Sequence, residues 1–168
     1  MPHLYPYIGP LALLHAWNER SQRHIIRTIA DVDQWITTQA TSRHEQRLTA
    51  TFIIDPTAQL WIADQRSEHV ACARGEHVLA AGEITFIVEV GILVGCELTN
   101  QSTGYCPEPS TWTVVQQVLD QIGLPHADGW TTSFDFRRCP ACGMINLIKD
   151  QWFVCAVCEH ELPLDWNC

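Results

Sequence analysis

The chain has 168 residues, 46% hydrophobic and 17% charged, the make-up of one folded domain, or one domain with a small appendage, that can bury a real core. Nineteen acidic against ten basic residues give a net charge of −9, which argues against a broad phosphate-binding face and leaves room only for a small basic patch, for example near Arg137 and Arg138. No apolar run approaches the roughly 20 residues of a membrane span. The opening MPHLYPYIGP lacks the basic start and apolar stretch of a signal peptide, so the expectation is a cytoplasmic protein with no membrane attachment.

Residues 1–10 hold three prolines and a glycine and read as an irregular arm. Leu11 to Trp17 and Asn18 to Thr38 read as one helix or a kinked pair, because Ile25, Ile26, Ile29, Val32 and Ile36 recur at three- and four-residue steps among polar residues. From Glu45 the texture changes to short β-branched runs. RLTATFIID, the turn PTAQ and LWIAD form a hairpin; HVACA, EHVLAAGEITFIVEV and ILVGCELTN continue the pattern, with Gly75, Gly82, Gly91 and Gly95 as turns or bulges. The expected product is an antiparallel sheet of about five strands.

NQSTGYCPEP interrupts this, and STWTVVQQVLDQIG restarts a helix with Ser110 as N-cap and Gly123 just past its end. Val114, Val115, Val118, Leu119 and Ile122 supply its apolar face. LPHADGW, a Pro/Gly link, leads into the last segment. The fold class is therefore α+β: an N-terminal helix, a sheet of about five strands and one further helix as a body over residues 1–130, then a ribbon over 131–168. No internal repeat and no low-complexity tract interrupts it.

That last segment, CPACGMINLIKDQWFVCAVC, carries half of the eight cysteines. A reducing compartment disfavours disulfides and makes paired Cys-x-x-Cys spacings metal sites. Twelve residues separate Cys142 from Cys155, so the two pairs sit at the ends of an expected hairpin, MINLIKDQWFV, turning at Lys149-Asp150. Cys139, Cys142, Cys155 and Cys158 can then meet around one ion in a four-thiolate shell that closes the metal to substrate, which makes a structural Zn2+ the expected cofactor. Iron also accepts four thiolates; a thioredoxin-like redox pair requires a single Cys-x-x-Cys in a βαβ setting, which is missing here. Cys139-Pro140-Ala141-Cys142-Gly143 resembles the first knuckle of rubredoxin-like and zinc-ribbon modules. The second knuckle departs from that pattern, with Glu159 where glycine is usual. His160 is a spare histidine beside a filled shell.

The block from residue 69 to 119 resembles the domain of plant IQ-motif calmodulin-binding proteins and its uncharacterised bacterial relatives, through His69, Ala80-Ala81-Gly82-Glu83, then Ser102, Tyr105, Pro107 and a helix opened at Ser110. Gly104 stands where that loop has histidine, and no Ile-Gln calmodulin-binding stretch occurs, so calmodulin is not an implied partner.

Loops at sheet edges commonly hold binding groups. Arg66 and His69 on one loop, with Asn100, Ser102, Tyr105 and Cys106 on another, are a candidate pocket. Cys106 with His69, His77 or His126 as base would be an activated thiol; the plainer account makes Cys72, Cys96 and Cys106 small buried hydrophobes and the loops ordinary turns. Trp152 and Trp166 either bury together to seat the ribbon on the body or form a partner-binding patch.

With a closed metal site, an acidic surface and no complete catalytic constellation, the expected function is that of an interaction or accessory protein with a structural zinc and a protein partner, in preference to an enzyme. The alternatives are an enzyme using the 66–69 and 100–106 loops, and a nucleic-acid-binding ribbon. The last is disfavoured because from Phe134 onward three basic residues face five acidic ones.

Overall fold

A computed structural model describes residues 2–39 and 45–168, and it is an α+β fold whose five-stranded antiparallel sheet has the order β1-β3-β2-β4-β5. The strands are β1 (His24–Ile26), β2 (Glu45–Ile54), β3 (Leu60–Asp64), β4 (Ala80–Glu89) and β5 (Ile92–Thr99). Period-2 alternation decides which face each side chain takes. Ala50, Phe52 and Ile54 of β2, with Ala80, Ile84 and Phe86 of β4, point into the larger core, closed by Val32 and Trp35 of α2 (Ile29–Gln39) and by Val115, Val118 and Leu119 of α4 (Trp112–Ile122). Ile53 and Ala81 face the other way, into a smaller core with Tyr5, Val78, Tyr105 and α3 (His69–Cys72). The short α1 (Leu11–Ala16) buries none of its residues.

Two segments differ from the sequence expectation. Residues 24–26 are a strand, not helix: Ile26 pairs with Leu60 and His24 with Ile62. The helix starts only after Thr28, where the Asp31 carboxylate accepts the Thr28 backbone N–H at 2.9 Å and Asp31 N donates to Thr28 Oγ1 at 3.3 Å, a Thr-x-x-Asp capping box. HVACA is a single helical turn in place of a strand: Ala73 N bonds His69 O at 2.8 Å and the turn ends at Gly75 with φ +77°. The number of strands agrees with the expectation because one gained strand replaces one lost. At α4 a short 3-10 turn, Pro109–Thr111, precedes the helix, so Ser110 lies inside that turn and does not cap it, whereas Gly123 ends the helix in the left-handed region at φ +77° as expected.

The hairpin turns follow their residues. Asp55 Oδ1 accepts the N–H groups of Thr57 and Gln59 at 2.8 and 3.0 Å between β2 and β3. Val90 and Gly91, both at positive φ, reverse the chain between β4 and β5. The register shift between Ile87 and Val88 places a bulge beside Gly95. Gly82 is neither turn nor bulge: a Cβ there would lie 1.9 Å from the Thr99 carbonyl oxygen and 3.0 Å from the Asn100 Cα, so the close backbone crossing at the end of β5 requires glycine.

Segment 124–134 runs along β5. Cys96 N donates to Pro125 O at 3.0 Å, Thr131 N to Leu98 O at 2.9 Å, and parallel bridges join Cys96 to His126 and Thr99 to Thr132. Just past β5, Asn100 is fully buried; its Nδ2 donates to Pro107 O at 2.9 Å and Phe134 O at 2.8 Å, and its Oδ1 accepts from Phe134 N at 2.7 Å.

Gly82→Ala is expected to destabilise the protein by about 2–3 kcal/mol, the scale of overpacking a rigid site, with Gly95→Ala as the mild control because its nearest neighbour beyond the adjacent residues is 3.6 Å away. Equilibrium denaturation of the two variants checks it.

Candidate metal centre

The ribbon is built from two hairpins with a cysteine knuckle at the tip of each. β6 (Asp135–Arg138) and β7 (Ile145–Ile148) pair antiparallel, Arg138 opposite Ile145, so residues 139–144 form the first tip. Cys139 N donates to Met144 O and Gly143 N to Cys139 O, both at 2.8 Å. The second tip repeats this: Cys155 N donates to His160 O at 2.8 Å and Glu159 N to Cys155 O at 3.0 Å, while Val154 bridges Glu161. The expected turn at Lys149-Asp150 is present, with Trp152 N on Lys149 O at 2.9 Å and Asp150 and Gln151 at positive φ. The arms of that turn, however, pair outward into two hairpins rather than with each other.

This places Cys139, Cys142, Cys155 and Cys158 with all four Sγ atoms within 4.8 Å of one another. Cys139 and Cys158 are 3.5 Å apart, and Cys142 and Cys155 3.6 Å. A tetrahedral ion with metal–sulfur bonds of about 2.3 Å separates its sulfurs by about 3.8 Å. The cluster therefore has the size and the donor set to hold a metal ion.

Backbone donors favour thiolate here. The N–H groups of Cys158 and Val157 lead in holding the Cys155 thiol down at about 6, with help from Asn146. Burial raises the Cys139 thiol, but N–H groups of Cys142 and Ala141 outweigh it and the net shift is downward. At Cys158 the His160 N–H acts to lower the thiol, yet the crowd of neighbouring sulfurs pushes it up to about 12. Four thiols this close cannot all ionise without a cation among them.

Asn146 is the contributor that sequence reasoning missed. Its side chain is buried, with Nδ2 3.5 Å from Cys155 Sγ and Oδ1 accepting the Ala156 N–H at 3.0 Å. It braces the second knuckle from the strand that leaves the first, the usual role of an outer hydrogen bond at a metal site. A lone asparagine in a strand carries no local signal of that role. Arg137 is turned inward, with Nη2 2.6 Å from Leu164 O and Nη1 2.7 Å from Phe136 O, so it adds nothing to an exposed basic patch. His160 is exposed.

Four of the six residues of the candidate pocket, His69, Asn100, Tyr105 and Cys106, make separate internal contacts. Arg66 is exposed on the turn after β3. His69 Nε2 lies 2.9 Å from Gly82 O, and burial lowers its pKa. Tyr105 is buried with its hydroxyl on Glu76 O at 2.9 Å. Ser102 and Cys106 are buried, and Cys106 Sγ lies 3.4 Å from Thr103 O. Asn100 is the buried bracket described above. Among the described residues, neither His69 nor His126 is hydrogen-bonded to Cys106; His126 instead meets Ala127 O and Asp120 Oδ1 at 2.6 and 3.0 Å. Cys72 and Cys96 are buried, and burial pushes both thiols up to about 12, in line with the reading of these cysteines as small hydrophobes.

The tryptophans divide. Trp166 packs edge-on against Tyr5 at 5.6 Å and donates to Cys106 O at 2.9 Å, joining the ribbon to the body. Trp152 does not accompany it and is 69% exposed.

No protein-family model, no curated protein and no solved structure matches this chain. The two resemblances therefore stand on their residues alone, with the four-cysteine geometry added for the ribbon.

Glu159 occupies the glycine position of its knuckle at φ +61°, where Gly143 in the other knuckle has φ +75°. A side chain there is strained by about 1 kcal/mol. Glu159→Gly is expected to raise the stability of the ribbon by a similar amount and to leave metal content unchanged, as read by thermal melts and elemental analysis.

Proposed function

We propose that this is an interaction or accessory protein whose C-terminal ribbon, residues 131–168, is organised by one structural zinc on Cys139, Cys142, Cys155 and Cys158 and docks a protein partner. The observation that carries the reading is Trp152, 69% exposed on a tight turn that the metal site holds in place. Large aromatic side chains at solvent are the usual anchors of protein interfaces. Val157, 61% exposed on the second knuckle, extends the apolar surface. A shallow hollow lined by Trp152, Val154, Cys155, Ala156 and Glu159 lies beside it.

The acids Asp150, Glu159 and Glu161 are exposed around this surface, so the partner that fits is a protein offering an apolar pocket with a basic rim. The same acids, with Arg137 turned inward, argue against nucleic acid. Four thiolates leave no coordination position for substrate, which supports a structural rather than catalytic ion, and zinc is the ion that takes this shell without redox chemistry. A reducing compartment such as the cytoplasm keeps the thiols available. No described helix is long and apolar enough to cross a membrane.

Elemental analysis of purified protein should find about one zinc per chain, lost in a Cys139→Ser, Cys158→Ser double variant together with a drop in melting temperature that chelator reproduces in the parent. Iron, or thiols that remain free and reactive in the parent, would overturn the zinc assignment. Trp152→Ala should keep the zinc and the melting temperature while losing a specific species retained by immobilised parent protein. Retention unchanged by the substitution would show that the surface around Trp152 is not the docking site.

A further inference from the structure

The segment 124–134, which links α4 to the ribbon, is fastened near its start by one histidine. His126 lies against the last turn of α4 with its side chain only 8% exposed. Its ring stands edge-on to Trp112 at 5.8 Å, and Trp112 in turn packs on Trp130 at 5.2 Å. Nδ1 is 2.6 Å from the Ala127 carbonyl oxygen, and Nε2 is 3.0 Å from Asp120 Oδ1. On the backbone side His126 bridges Cys96 of β5, whose N–H donates to Pro125 O at 3.0 Å. Helix, link and sheet therefore meet at this ring.

A neutral imidazole carries a proton on one nitrogen and presents a lone pair on the other. Here both nitrogens face an oxygen acceptor at hydrogen-bond distance. In the neutral ring one of the two contacts sets lone pair against lone pair, and only the imidazolium makes both hydrogen bonds.

We propose that His126 is a pH-operated latch: as imidazolium it ties the last turn of α4 to the link along β5, and on losing its proton it lets residues 124–134 loosen from β5. Among the described residues, the acids that act on the ring are Asp120 from α4 and Asp128 from the link. On β5 the Cys96 thiol is neutral, because burial pushes it up to about 12, and Glu97 is paired with Arg47. Burial opposes charge on the ring, but the Ala127 carbonyl and the two carboxylates outweigh it, so the net shift is upward from the ordinary 6.5. A raised folded value makes the latch fully effective below 6.5, and its contribution is lost as pH rises through that folded value. The latch is closed in mild acid and opens towards alkaline pH.

The test follows the ring and the link separately, on the full chain as purified. Nitrogen-15 NMR titrates the His126 ring, whose signal is identified by its loss in His126→Gln. Hydrogen exchange, corrected for its intrinsic pH dependence, reads the Cys96 and Thr131 amides that join β5 and the link. The ring should titrate above 6.5. Protection of the two amides should fall across that midpoint by about tenfold for each unit of the shift, while amides between β2 and β4 keep theirs. The Asp120 side chain is 64% exposed, so Asp120→Asn should fold as the parent does, with a lower midpoint and a smaller loss of protection. In His126→Gln the protection should not change with pH. A midpoint at or below 6.5, a raised midpoint that the two amides ignore, or a midpoint that Asp120→Asn leaves in place would each overturn the proposal.

Discussion

The arrangement of body and ribbon depends on one buried amide. Asn100 lies just past the last strand of the sheet, fully enclosed, and hydrogen-bonds Pro107 on one side and both backbone groups of Phe134 on the other. Three segments are thereby fixed at one point: the end of β5, the loop that leads into α4, and, 34 residues further on, the start of the ribbon. In the low dielectric of the interior each of these bonds is stronger than in water, and each backbone group left without its partner would cost about 1–3 kcal/mol. The glycine at position 82 serves the same junction, since only a residue without Cβ lets the Thr99 carbonyl cross so close to β4. Chemistry expected of Asn100 as a pocket residue is replaced by architecture.

The apolar cluster around the two knuckles is meagre: Leu162, Cys139 and Cys155 are buried in it, with Ile148 and Phe153 half-buried beside them, little apolar area to fix two hairpins against each other. One ion held by the four sulfurs would make up the difference, which is the physical reason to expect a metal there to act as part of the fold. Asn146 and Arg137 do the finer positioning. The amide spans from the first hairpin to the second knuckle, and the guanidinium collects the carbonyls of Pro163 and Leu164, so the segment that carries Trp166 leaves the ribbon in a fixed direction.

Legibility in the sequence followed the range of the forces involved. Cys-x-x-Cys spacing, Gly123 as the helix stop and the alternation along RLTATFIID are local signals, and each locates its element. Ile25, Ile26 and Ile29 mimic a helical stripe, but Ile26 and Ile29 belong to a strand and a helix on either side of a capping box that Thr28 and Asp31 announce. HVACA has strand-like composition, yet the sharp turn at Arg74-Gly75 leaves room only for one helical turn. The roles of Asn100 and Asn146 arise from contacts 34 and 9 residues along the chain, and no repeating pattern of neighbouring residues encodes them.

The course of residues 124–134 has a further consequence. A five-stranded open sheet has two edges, and a long exposed edge is a template on which other chains can pair. Here β1 is only three residues long, and the far edge, at β5, is occupied by the connecting segment through its bonds to Cys96 and Leu98 and its bridge at Thr99. The link to the ribbon is thus also a guard rail for the sheet. Loosening it, by cleavage or by unfolding of the ribbon, would uncover a β-branched strand whose tip already shows Val90, Ile92 and Val94 to solvent, and would turn a local loss of structure into self-association of the body.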